Sequence, residues 1–97
     1  MFTGTLVADL RLGDVHSLKE KRSVIRPIVA ELRRRYDVAA GEVGAVDLHR
    51  RSQIGVAALA GDAAHVRDRL DGCERLLAGR PDVELLEIRR RLFGPDD

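Results

Sequence analysis

The sequence predicts one small α+β domain of order βαββαβ. Three observations carry this: residue-by-residue apolar alternation in three separate segments, two intervening stretches of helical periodicity, and a helix-capping signal ahead of each of those stretches. Each half of the chain therefore reads as strand, helix, strand.

From Phe2 to Leu12 the residues alternate. Phe2, Gly4, Leu6, Ala8, Leu10 and Leu12 share one face, and Thr3, Thr5, Val7, Asp9 and Arg11 share the other, as in a half-buried strand. Gly13 and Asp14 turn the chain. Ser17-Leu18-Lys19-Glu20 is a capping box, in which the Ser and Glu side chains satisfy the first free amides of a helix. Leu18, Ile25, Ile28, Val29, Leu32 and Tyr36 then recur at helical spacing as the stripe that faces the sheet. Pro27 lies inside this pattern, where it removes one helical hydrogen bond and bends the helix without ending it.

Residues 37–46 read as a second strand loosened by Gly41 and Gly44, with Asp47-Leu48-His49 as the connection back. Gln53 to Ala60 forms a third strand with Ile54, Val56 and Ala58 inward. Gly61-Asp62 breaks the strand and caps a second helix, whose buried line is Val66, Leu70, Cys73 and Leu77. Gly79 ends that helix. Val83 to Leu92 is the last strand, with Leu86 and Ile88 expected inward and Leu85, Glu87 and Arg89 outward. Residues 93–97 read as a frayed tail of the single domain 1–97. With right-handed crossovers, this order closes into a ferredoxin-like sandwich with two helices on one face of a four-stranded antiparallel sheet.

Composition narrows the function classes. The chain has 97 residues, 44% hydrophobic and 34% charged, as expected of a globular domain that buries one core unaided. One Tyr, two Phe and no Trp leave few side chains for aromatic stacking of a ligand. One cysteine excludes an intrachain disulfide and fits a reducing compartment. The N-terminus lacks a signal-peptide pattern and no apolar run is long enough to span a bilayer, so a cytoplasmic location is expected.

Net charge is only +1, yet it is unevenly spread. Residues 14–36 carry seven bases against three acids, whereas residues 62–87 carry four bases against seven acids. At about 100° per residue, Lys19, Arg22, Arg26 and Arg33 fall within roughly 60° of one another beside the apolar stripe. With His16 and the free amides at the helix start, they are the candidate phosphate- or RNA-binding residues, since such a stripe can track a phosphate backbone. A solvated face flanking the core would carry the same residues. The open sheet face offers a second candidate surface, a homodimer contact through Val7, Ala57, Leu59 and Leu85. It presents no aromatic for base stacking, which argues against nucleic-acid reading there.

Other chemistries find little support. His16, His49 and His65 have no zinc-like spacing with Cys73, so no metal is expected. His16 paired with Asp14 or Asp47 could act as a general base, but any domain with three histidines offers such pairings, and an enzyme centred on His16 stands only as a distant third reading. Cys73 reads as a small core residue. The glycines form no phosphate loop or dinucleotide fingerprint, and no cofactor is expected.

His16-Ser17-Leu18-Lys19-Glu20-Lys21-Arg22 after the first strand, Asp62-Ala63-Ala64-His65-Val66 opening the second helix, and Asp82-Val83-Glu84 leading the last strand resemble the YlxP-like family of small bacterial proteins of unknown function. The resemblance spans essentially the whole chain. It implies a ferredoxin-like fold in a bacterial cytosol and a link to translation, because members are often encoded beside a translation initiation factor and a ribosome-binding factor. It assigns no catalytic residues. The family's polar and aromatic stretch between the second and third strands has no aromatic counterpart in Gly44-Ala45-Val46-Asp47-Leu48-His49. The expectation is a non-enzymatic RNA- or ribosome-associated module, with a homodimeric interaction or regulatory domain as the alternative.

Overall fold

The computed structural model describes all residues, Met1–Asp97. The elements are β1 (Phe2–Leu12), α1 (Leu18–Tyr36), β2 (Ala39–Gly44), β3 (Arg51–Ala60), α2 (Ala63–Gly79) and β4 (Val83–Phe93). The strands form one antiparallel sheet in the order β2-β3-β1-β4, the ferredoxin-like arrangement. Both helices pack on the same face, and twenty buried apolar residues between the layers form a single core.

Both helix starts follow from the capping residues. Ser17 is the N-cap of α1 and its hydroxyl accepts from the Glu20 amide, while the Glu20 carboxylate accepts from the His16 amide at 2.9 Å. Asp62 caps α2 by accepting from the His65 amide at 2.8 Å. α1 runs through Pro27 without interruption and ends at Asp37, a left-handed residue whose amide returns to the Arg33 carbonyl. Gly72 lets the two helices approach closely, because the Tyr36 ring lies where a Cβ would stand.

The buried line of α1 is Lys21, Ile25, Ile28, Val29 and Leu32; Leu18, expected within it, is only half-buried. The remaining strands depart from expectation in three places. β2 is shorter than residues 37–46, and β3 begins at Arg51 rather than Gln53. β4 carries a register shift: Glu87 pairs with Asp9, but the next β1 residue, Leu10, pairs with Leu85, leaving Leu86 as the extra residue of a bulge. The shift inverts the expected orientation, so Leu85 packs against the core and Leu86 does not. Leu85 is therefore removed from the open face. β4 also continues through Phe93, and the tail closes into a turn, with the Asp97 amide donating to the Gly94 carbonyl and the Gly94 amide to the Asp97 carboxylate. Phe93 thus belongs to β4 rather than to the tail.

Cys73 is fully buried. Burial pushes its thiol up to about 11, against the opposing pull of the Arg90 charge, so it stays protonated at neutral pH. No helix is long and apolar enough to cross a membrane.

Candidate phosphate-binding face

Lys19, Arg22, Arg26 and Arg33 occupy one flank of α1, between its buried line and solvent. The structure gathers Lys19, Arg22 and Arg26 around a shallow hollow of about 350 Å³ that also includes Ser23 and Pro27, with no acid in its lining. Arg22 and Arg26 turn equally toward a second hollow, a groove of about 490 Å³ between α1 and the edge strand β2. Its floor is Ile25, Val29, Ala30 and Gly41, and its polar rim includes Arg33, Lys21 and Glu42. Lys19, Arg22, Arg26 and Arg33 form no ion pair within the protein, in contrast to Arg11, Arg80 and Arg90, which do. Five bases thus stand against one acid along two adjoining hollows.

Arg33 is not free in the way its position on the stripe suggests. Its Nε and Nη2 donate to the Ala40 carbonyl at 2.9 and 2.5 Å. Ala40 lies on an edge strand, where a carbonyl turned away from the sheet has no strand partner, and the guanidinium supplies that partner. Nη1 remains uncommitted, so Arg33 serves the fold and still adds positive charge to the groove.

His16 is not part of this cluster. It precedes α1, and its Nε2 pairs with Asp14 Oδ1 at 2.8 Å in a solvent-exposed setting. The capping box also takes up part of the helix start: the Ser17 hydroxyl accepts from the Glu20 amide, and the Glu20 carboxylate, an anion on the first turn, accepts from the His16 amide. The pairing of His16 with Asp14 is the one expected of a base and its orienter, but both groups stand in water. His65 pairs with Asp62 at the start of α2, and His49 is exposed in the β2–β3 loop.

The sequence reading missed the polar centre of the face. Lys21 is 2% exposed, buried among the apolar residues of α1. Its Nζ donates to the carbonyls of Ala45 at 2.7 Å and Val46 at 3.3 Å and pairs with Glu42 Oε2 at 2.8 Å. Buried Ser52 donates to the same oxygen at 2.6 Å. Lys21 thereby joins α1 to the end of β2 and to the loop that follows. Ala45 has φ of 54°, a left-handed conformation that costs an L-residue about 1–2 kcal/mol, and the Lys21 contact holds its carbonyl in place. The signal was present: residues 21, 25, 28, 29 and 32 share one helical face, and 42 and 52 fall in the inward phase of their strands.

The open sheet face has a different character. Across β3, β1 and β4 its rows are Arg51, Arg11 and Glu84; Gln53, Asp9 and Glu87; Gly55, Val7 and Arg89; Ala57, Thr5 and Arg91; and Leu59, Thr3 and Phe93. Val7, Ala57 and Leu59 do share this face, and Leu85 is absent from it. Phe93 is an aromatic that the sequence reading placed in the tail, and Arg91 lies over its ring at 4.9 Å. Toward β2 the face becomes apolar, with a hollow of about 450 Å³ lined by Val7, Ala39, Val43 and Ala57 among others.

The chain is similar to the "Uncharacterized protein YlxP" of Bacillus subtilis (strain 168), at 28% identity over 80 residues covering 82% of this chain and 87% of that protein. A family model described as "Protein of unknown function (DUF503)" matches residues 3–90, which take in α1, β2, β3 and α2 whole, all of β1 but Phe2, and most of β4. With residues 3–90 of its 97 matched, the chain belongs to that family, the YlxP-like proteins.

Proposed function

We propose that this protein is a non-enzymatic RNA-binding module of the bacterial cytoplasm, associated with the ribosome, that holds phosphates along the basic flank of α1. The observation that carries the reading is the position of Arg22 and Arg26 on the wall between two hollows, where Lys19 extends the positive strip along one side and Arg33 along the other. Guanidinium groups present several donors in a fixed fork and suit phosphate oxygens. The single acid in the strip, Glu42, is already paired with Lys21, so the local field stays positive.

Contact by four bases with a single strand sets a salt dependence. Each neutralised phosphate contributes about −0.7 to the slope of log affinity against log salt, which gives roughly −3 for four. Fluorescence anisotropy of a labelled single-stranded RNA between low and physiological salt measures that slope. A slope near zero would show that the flank does not engage phosphates.

A homodimer through the open sheet face is the second reading. It is favoured by Val43 and Leu59, which are 60% and 59% exposed along its apolar side. Leu59→Glu is then expected to dissociate the dimer with circular dichroism unchanged. A wild-type protein that sediments as a monomer at high micromolar concentration would remove this reading.

A further inference from the structure

We infer that Glu42 recognises the 2′-hydroxyl of a ribose lying in the groove between α1 and β2, so that the protein selects RNA over DNA. This rests on the RNA-binding reading above and names the feature of RNA that the same site reads.

Glu42 is held on one of its two oxygens only. Oε2 receives both Lys21 Nζ and the Ser52 hydroxyl, whose donor atoms are themselves buried in the core. Two donors from a rigid framework, one on α1 and one on β3, fix the plane of the carboxylate. Oε1 receives no hydrogen bond from the protein, yet no buried side-chain oxygen lacks a partner, so Oε1 faces solvent. Since Glu42 lines the groove, this is an oriented acceptor on the rim of a hollow otherwise furnished with arginines.

That combination restricts what the groove accepts. A carboxylate repels phosphate oxygens, so a phosphodiester settles at Arg22 and Arg26, and the group facing Oε1 must be a donor, which in a nucleic acid is a neutral one. The floor of Ile25, Val29, Ala30 and Gly41 suits the flat or weakly polar body of a nucleoside. In RNA the 2′-hydroxyl is a donor next to every phosphate, and in DNA it is missing. A ligand without that donor would cover Oε1 and leave it unpaired, which is the stronger basis of discrimination. Because the Glu42 side chain retains 23% exposure, water partly compensates, and the expected discrimination is about tenfold rather than thousands.

Oligouridine, oligodeoxyuridine and 2′-O-methyl oligouridine of equal length differ only at the 2′ position. Binding at fixed low salt is expected to be about tenfold tighter for oligouridine than for the other two, since methylation removes the donor and keeps the oxygen. In Lys21→Met/Glu42→Leu, which removes the carboxylate with its buried counter-charge, the three ligands should bind alike. Equal wild-type affinity for all three, with Arg22→Glu/Arg26→Glu weakening each, would overturn the role of Glu42 and leave phosphate binding standing. Binding of none would overturn both. A tenfold preference that persists in the folded Lys21→Met/Glu42→Leu variant would also overturn it.

Discussion

Lys21→Met is expected to destabilise the protein by about 3 kcal/mol, although methionine is apolar, close in length and placed on an otherwise apolar helix face. The reason is what the change leaves behind. Glu42 loses its counter-charge, and the Ala45 and Val46 carbonyls lose a donor at 2.7 and 3.3 Å. Removing one member of a buried pair costs more than the pair contributes, because the remaining charge keeps its desolvation penalty. For a domain of this size each kcal/mol lowers Tm by about 4–8 °C, so a fall of at least roughly 12 °C is expected in a thermal melt. Lys21→Met/Glu42→Leu should regain much of that loss, since both charges leave together. A single variant within about 2 °C of wild type would show that Lys21 is not a structural clasp.

Much of the fold was legible because its signals are local. The alternation of β1, the capping box at Ser17 and the Gly61-Asp62 break each act over a few residues, and the structure keeps them. The β4 bulge was not legible, because it is a property of pairing. Within Glu84-Leu85-Leu86-Glu87, either leucine satisfies the alternation, and only the match of Leu10 to Leu85 and Asp9 to Glu87 decides which one turns inward. Phe93 was lost for a related reason. Gly94 and Pro95 read as a tail, whereas pairing with Thr3 extends the strand.

For the candidate site, helical phase grouped Lys19, Arg22 and Arg26, which share one hollow, but the sequence reading left Lys21 out of the buried stripe although the same arithmetic puts it there. Charge alone suggested solvent for Lys21, as it usually does, but a lysine in the phase of Ile25 and Ile28 needs partners in the interior. Those partners come from β2, its loop and β3, and sequence spacing does not reveal that they meet. Arg33 shows the converse, a surface position by phase whose fork is engaged by an edge-strand carbonyl. His16 stands apart from the three bases because it pairs with Asp14 ahead of the helix, and spacing alone does not reveal that contact.

Arg22→Glu/Arg26→Glu bears most directly on the phosphate-binding flank. Both side chains are exposed, form no ion pair and sit on the wall between the hollows, so folding should be unaffected and circular dichroism should match wild type. The change removes two phosphate contacts and sets two carboxylates in their place. Affinity for single-stranded RNA at low salt is expected to fall by about a hundredfold, on the order of 2–3 kcal/mol, and the salt slope to drop from roughly −3 to about −1.5. The loss should be the same for different RNA sequences, because phosphate contacts position a ligand without reading its bases. An unchanged affinity in the folded double variant, or no RNA binding by the wild type even at low salt, would contradict the assignment and leave the basic flank of α1 as a solvated helix face.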